Sequence, residues 1–167
     1  ELPFTIRSGN IYFLKTTGND NTGDGSWTNA WASLDNLTNT GALEKIAVGD
    51  IIYVCNGVSH TALAGDRATI DLGNPGTETA PKAIIGYPGA IASIGNTAIE
   101  KCYALFVSGL GRTSNWVISK FHLTAASDVA AMFNNFRVVG NKITAPTGDG
   151  PTGAVPGLGN HLYLLGN

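Results

Sequence analysis

Arg137-Val138-Val139-Gly140-Asn141 returns 26 residues later as Tyr163-Leu164-Leu165-Gly166-Asn167, and a looser copy, Trp116-Val117-Ile118-Ser119-Lys120, lies 21 residues before it. Each phrase is a run of aliphatic or β-branched residues closed by a small residue and then a polar one. One short strand signal every 20–30 residues or so is the pattern of a stacked solenoid, whose repeats cannot bury their apolar faces alone. Working outward, residues 115–124, 136–144 and 161–167 read as successive coils, with Gly148 to Gly159 a loop bulging from one of them.

Earlier apolar bursts fit the same scheme. Ile11–Leu14, Ile51–Cys55, Lys82–Gly89 with a turn at its end, and Ala104–Gly109 read as strands. Asn56 to Pro81 reads as a long polar excursion, and Gly18–Ser26 as a loop without an aliphatic side chain. Ser33 is a candidate N-cap for a short helix carrying Leu34 and Leu37, with a second turn at Leu43 and Ile46 after Asn39-Thr40-Gly41. The fold expected is all-β, a parallel solenoid over residues 1–167 as one domain, with 1–47 as N-terminal strand, loop and capping helix and 48–167 as coils. A β-sandwich or jelly roll is the alternative, although the Asn-Gly and Asp-Gly pairs fall inside long loops instead of tight hairpins.

Composition narrows the function. Charged residues make up 13% of the chain, hydrophobic residues 43%, and 22 residues are Gly, which suits short strands and turns better than helices with charged outer faces. A formal net charge of −2 with scattered Lys and Arg offers no basic stripe for nucleic acid. No apolar run approaches the roughly 18–20 residues of a membrane span. Cys55 and Cys102 sit in strand-like runs and read either as small buried hydrophobes or as a disulfide of an extracellular protein; their spacing fits neither a zinc nor a redox motif.

Together, Ile11–Leu14, the Gly18–Ser26 loop, Trp31 to Leu37, Gly49-Asp50-Ile51-Ile52-Tyr53-Val54, Ile84–Gly89 and the later phrases resemble the right-handed parallel β-helix proteins of the pectate lyase-like superfamily. The resemblance implies a right-handed parallel β-helix that is extracellular or at the cell surface. It is specific for fold and leaves function open among lyases, glycosidases, tail-spike proteins and adhesins. It also implies a ladder of Asn side chains at one turn of successive coils, with Asn141 and Asn167 as its members, since an amide both donates and accepts. The chain stops at Asn167, where Asn141 runs on into Lys142-Ile143-Thr144. The expectation is therefore a coil incomplete at its C-terminal end, continued in a longer protein or covered by another chain.

Catalytic residues are not assignable. Lyases of this type use a Lys or Arg base beside calcium-holding carboxylates, and Lys120, Arg137, Lys142 and His122 are the available bases. From residue 100 onward the acids are only Glu100, Asp128 and Asp149, too scattered for calcium or for a glycosidase pair. Asp20 and Asp24 sit in a loop faintly like a calcium loop, but Thr22 and Trp31 break the motif, so calcium is a weak possibility and no other cofactor is expected. His60, His122 and His161 are isolated from one another. Trp27, Trp31 and Trp116 are candidates for stacking on sugar rings, although the pair near residue 30 is as well suited to packing the cap. Asn36-Leu37-Thr38 matches a glycosylation acceptor, a motif common by chance. The expected partner is a polysaccharide or cell-surface glycan, with self-association through the C-terminal edge. The leading expectation is a non-catalytic extracellular module; the alternative is the N-terminal part of a polysaccharide lyase.

Overall fold

The repeated phrases form strands that lie side by side. A computed structural model describes residues 9–34, 40–60, 68–72, 74–96, 103–106, 115–125, 130–131, 135–144 and 163–166. In chain order the elements are β1 (Ile11–Leu14), α1 (Ala42–Lys45), β2 (Ile51–Val54), β3 (Ser59–His60), β4 (Ala68–Asp71), β5 (Lys82–Gly86) and β6 (Ser93–Asn96). They continue with β7 (Tyr103–Phe106), β8 (Trp116–Ser119), β9 (His122–Ala125), β10 (Ala130–Ala131), β11 (Arg137–Val139), β12 (Lys142–Thr144) and β13 (Tyr163–Leu165). Sheet A has the order β1-β2-β5-β8-β11-β13, sheet B β3-β6-β9-β12 and sheet C β4-β7-β10. From β2 to β12 the chain visits A, B and C in turn, each pass being one coil, and β13 returns it to A. Every pairing among these strands is parallel, which removes the antiparallel sandwich. No helix among the described residues is long and apolar enough to cross a membrane.

Register decides which residues face inward. Tyr12, Ile52, Ile84, Ile118 and Val138 pair in one row across sheet A. The last four of them are fully buried. They meet Ile94 and Leu123 of sheet B and Ile70 of sheet C in a single core. The offset between β8 and β11 is 20 residues, with Val138 opposite Ile118, and not the 21 that the aligned phrases suggest. Burial settles the difference: a one-residue slip would turn Val138 out to solvent. Period two is present in β2 and β8, where buried and half-buried residues alternate. The strands are too short for it to show in sequence.

The excursion from Asn56 to Pro81 needs correcting. It holds β3 and β4, which start the second and third sides of the first full coil. β6 and β10 were equally illegible, the first having Ile94 alone among small and polar residues and the second being two alanines. In β3, Ser59 faces out and His60 carries the inward position opposite Ile94, so its burst of hydrophobicity is missing.

A tight corner joins sheet A to sheet B. Lys120 and Gly140 stand at successive corners with φ of 63° each, and Gly166 follows β13 with φ of 60°. A Cβ on either glycine would meet nothing within 4 Å, so the requirement there is the left-handed backbone and not space. Lys120 adopts it at a cost of roughly 1 kcal/mol. Beside this corner, Asn141 is buried and reaches to the preceding coil. Its Oδ1 accepts from the Phe121 amide at 2.9 Å and its Nδ2 donates to the Ile118 carbonyl at 3.1 Å. These bonds tie coil to coil through backbone; Asn167, the other member of the expected ladder, lies outside the described residues.

The N-terminal segment covers the first coil. Residues 25–31 line the free edge of β1: the Phe13 amide donates to Gly25, Trp31 donates to Phe13, and Lys15 donates to Trp31. The edge is thus paired instead of open. Of the helix expected after Ser33, residues 35–39 lie outside the described residues. The Asp20 carboxylate accepts from the amides of Ala32 and Ser33 and from the Ser33 hydroxyl, fixing that stretch as a turn. The second turn expected at Leu43 and Ile46 is present as α1, which buries Ala42 and Leu43 with Ile46 behind them; Leu37 and the Asn36 acceptor lie outside the described residues. At the head of sheet A, buried Asp50 accepts from the Asn10 and Ala47 amides at 2.7 Å each. Lys82, also buried, donates to the Ile46 carbonyl at 3.0 Å. Burial pulls its ammonium below the ordinary range, with Asp50 and Glu44 opposing.

Two stability predictions follow from these contacts. Asn141→Ala leaves the Phe121 amide and the Ile118 carbonyl without these partners, and should cost about 2–4 kcal/mol in urea unfolding. Asn141→Asp keeps the acceptor for Phe121 but sets an ionised oxygen against the Ile118 carbonyl, so it should cost at least as much near neutral pH and less once the carboxyl is protonated and can donate. His60 accepts the Leu34 amide at Nε2, 3.2 Å away, and so must be neutral there. Burial pushes its pKa down from 6.5 to about 4, with the Asp20 charge opposing. The unfolded chain therefore binds the extra proton first, and stability that is complete above pH 6.5 should fall by up to about 3 kcal/mol as pH drops to 4. In His60→Gln, whose side-chain carbonyl can still accept from Leu34, that part of the pH dependence should vanish.

Candidate functional site

The positions that alternate with the buried row form the outer face of sheet A. One outward row runs Ile11, Ile51, Ala83, Val117 and Arg137, and a second runs Phe13, Tyr53, Ile85, Ser119 and Val139. Toward its N-terminal end this face is almost wholly apolar, which is unusual for a surface. Two turns add rings to it. Trp27 comes from the loop paired along β1, and Tyr87 from the turn that follows β5.

Four rings gather there. Phe13 lies 5.1 Å from Trp27 edge-on and 6.0 Å from Tyr53 in a stacked arrangement, and Tyr87 lies 5.5 Å from Trp27 and 5.9 Å from Tyr53. Such spacings mean that the rings pack on one another and leave no cage between them for a cationic guest. What they offer is an outward surface, since Trp27 is 49% and Tyr87 38% exposed. Lys15 holds the arrangement: its Nζ stands 3.5 Å from the centre of the Trp27 ring and donates to the Trp27 carbonyl. Trp27 is therefore pre-positioned by a cation–π contact and a hydrogen bond.

Farther along the same face is a cleft of about 120 Å³, lined by Glu78, Pro81, Asn115, Trp116, Val117, Asn135 and Arg137. Asn115 and Asn135 lie 20 residues apart, the offset of β8 and β11, and both have left-handed backbones, φ 42° and 60°. The Asn115 amide is already engaged with the Gly76 carbonyl at 3.2 Å. The outer face of sheet B is polar instead. Ser59 and Ser93 share a hydrogen bond of 3.0 Å, and His122 Nε2 lies 2.9 Å from the Thr144 hydroxyl beside Lys142.

The residues singled out in sequence scatter over this frame. Of the four candidate bases, Arg137 is in the cleft, His122 and Lys142 are neighbours on sheet B, and Lys120 is at the corner. Asp20 and Asp24 do not form a joint cation site. The first clamps residues 32–33, and the second accepts from the Ser26 amide, a bond that lowers its pKa. Among the described residues no group of three His, Cys, Asp or Glu side chains comes together. Trp31 and Trp116 are buried, the first against Tyr12 at 4.7 Å, so of the three tryptophans only Trp27 meets solvent broadly. Cys55 carries a free thiol whose pKa burial pushes up. Cys102, His161, Glu100, Asp128 and Asp149 lie outside the described residues. Sequence reading missed Phe13, Tyr53 and Tyr87 as a group. The available signal was alternation: in Ile11–Leu14 and Ile51–Val54 the aromatic residue stands next to an inward position.

Comparisons with known proteins bear on the fold. No protein-family model and no curated protein matches the sequence. Among solved structures, the chain is similar to one titled rhamnogalacturonan lyase, with a TM-score of 0.57 and 14% sequence identity, over 82% of this chain and 38% of that one. The chain thus spans well under half the length of that structure. At such identity the likeness is one of architecture: an all-β, parallel fold distantly akin to that of a polysaccharide-cleaving enzyme.

Proposed function

We propose that the chain is a right-handed parallel β-helix that binds polysaccharide on the outer face of sheet A, as an extracellular or cell-surface module. The observation that carries this reading is the packed group of Phe13, Trp27, Tyr53 and Tyr87, in which Trp27 and Tyr87 are exposed and the other two half-buried. A sugar ring has a face of C–H groups and an equator of hydroxyls. An aromatic surface removes the first from water and leaves the second solvated, so rings already packed on one another bind without ordering loops. The corner geometry and parallel register support the β-helix assignment, and the likeness to a polysaccharide lyase supports the ligand class.

A second reading has one observation in its favour. The solved structure it resembles is titled a lyase and is much longer, which fits an N-terminal part of such an enzyme with its reactive coils elsewhere. Arg137 is then the best-placed base of those described, being in a cleft.

Affinity electrophoresis through soluble plant and bacterial polysaccharides tests the first reading. Retardation should appear with at least one of them. Trp27→Ala and Tyr87→Ala should each weaken it about tenfold, or about 1.4 kcal/mol, with little change in unfolding midpoint. Absence of retardation across the panel would reject the platform. Release of unsaturated sugar by the natural full-length protein, lost in Arg137→Gln, would establish the second.

A further inference from the structure

We infer that the cleft at the head of β8 and β11 is a second sugar subsite, selective for an uncharged, hydroxyl-bearing unit; this rests on the platform reading above. The lining is the reason. Glu78 supplies a carboxylate acceptor, Arg137 guanidinium donors, and Asn135 an amide that does both. Their formal charges sum to zero. A sugar hydroxyl both donates and accepts, so adjacent hydroxyls can satisfy the carboxylate and the guanidinium together. An anionic group would instead be brought up against Glu78. Pro81 and Val117 provide the apolar wall for the C–H edge of the ring. The volume, about 120 Å³, holds a group of several heavy atoms and is too small for a chain segment.

The fold fixes this shape. Asn115 and Asn135 keep left-handed backbones at one corner of successive coils, where a β-branched residue would be strained. Asn115 is anchored to Gly76, and its carbonyl accepts the Lys82 amide at 3.1 Å, so the floor is tied to the strand beneath. The cleft shares the outer face of sheet A with the platform: Val117 and Arg137 lie in the row of Ile11, Ile51 and Ala83, next to the row of Phe13 and Tyr53. Successive strands are about 4.8 Å apart, so Arg137 stands four strands, roughly 19 Å, from β1. A linear glycan that lies along the stack meets rings at one end and the polar cleft at the other.

The test is calorimetric titration of the intact chain with two uncharged hexamers, cellohexaose and galactohexaose, and with hexagalacturonate, using the wild type, Glu78→Gln, Arg137→Gln and Trp27→Ala. The expected result is tighter binding of an uncharged hexamer than of hexagalacturonate, weakened three- to tenfold by Glu78→Gln and by Arg137→Gln. Glu78→Gln should also narrow the preference against hexagalacturonate. Trp27→Ala should weaken all ligands alike. If only Trp27→Ala acts, the cleft is not a subsite and the platform stands. Should hexagalacturonate bind best, with Arg137→Gln alone abolishing the preference, the selectivity inferred here is wrong. No binding of any hexamer, together with no retardation by any polysaccharide, would remove the platform as well. Unchanged unfolding midpoints in the two cleft variants exclude a folding defect as the cause.

Discussion

Ile52, Ile84, Ile118 and Val138 stand opposite one another in a single row, and nearly everything else depends on that row staying inward. Full burial of each such side chain contributes about 1.5–3 kcal/mol, so four together supply on the order of 6–12 kcal/mol. That is comparable to the whole stability of a typical domain. A slip of one residue in any pairing would forfeit part of it and would also turn the outward row into the core. The row therefore fixes two surfaces at once: the interior, and by alternation the outer face with its aromatic rings.

Register in turn is held where the chain bends. The left-handed corners at Lys120 and Gly140 end the sheet A strands at the same height, and Asn141 bonds the coil before it through backbone groups that no side chain can displace. At the other end of the strands Asp50 and Lys82, both buried, bind the backbone at Asn10, Ala47 and Ile46. Buried charges add little net stability as a rule, but each is satisfied here and each sets where a strand begins. The segment before β2 closes the open end by pairing along β1, and the same loop delivers Trp27 to the platform. Capping and presentation of the site are thus one piece of structure.

The repeat was legible because Gly-Asn closes the aliphatic phrase at both Asn141 and Asn167, and because Ile51–Val54 is so strongly apolar. The other two sides were legible only in part: Ala104–Gly109 overlaps β7, and the stretches 115–124 and 136–144 span β9 and β12, but β3, β4, β6 and β10 gave no signal. β3 and β10 are two residues long, and β3 turns a histidine inward, so no hydrophobic period can register. The 21-residue offset was wrong by one because Trp116 looks like the partner of Arg137, whereas Val117 stands opposite Arg137 and Trp116 is buried one position earlier. Nor could sequence show that Asp20, thirteen residues away, binds the Ser33 amide and hydroxyl. The platform is the clearest example of the limit. Its four rings come from residues 13, 27, 53 and 87, and only a known register brings them together.

The central claim is that sheet A, and not the polar face of sheet B, meets the glycan. Hydroxyl-radical footprinting with and without a bound polysaccharide reads side-chain exposure directly, and aromatic rings are its most responsive targets. The account predicts protection of Trp27, Tyr53 and Tyr87 with His122 unchanged. Protection of His122 while the three rings keep their reactivity would contradict it.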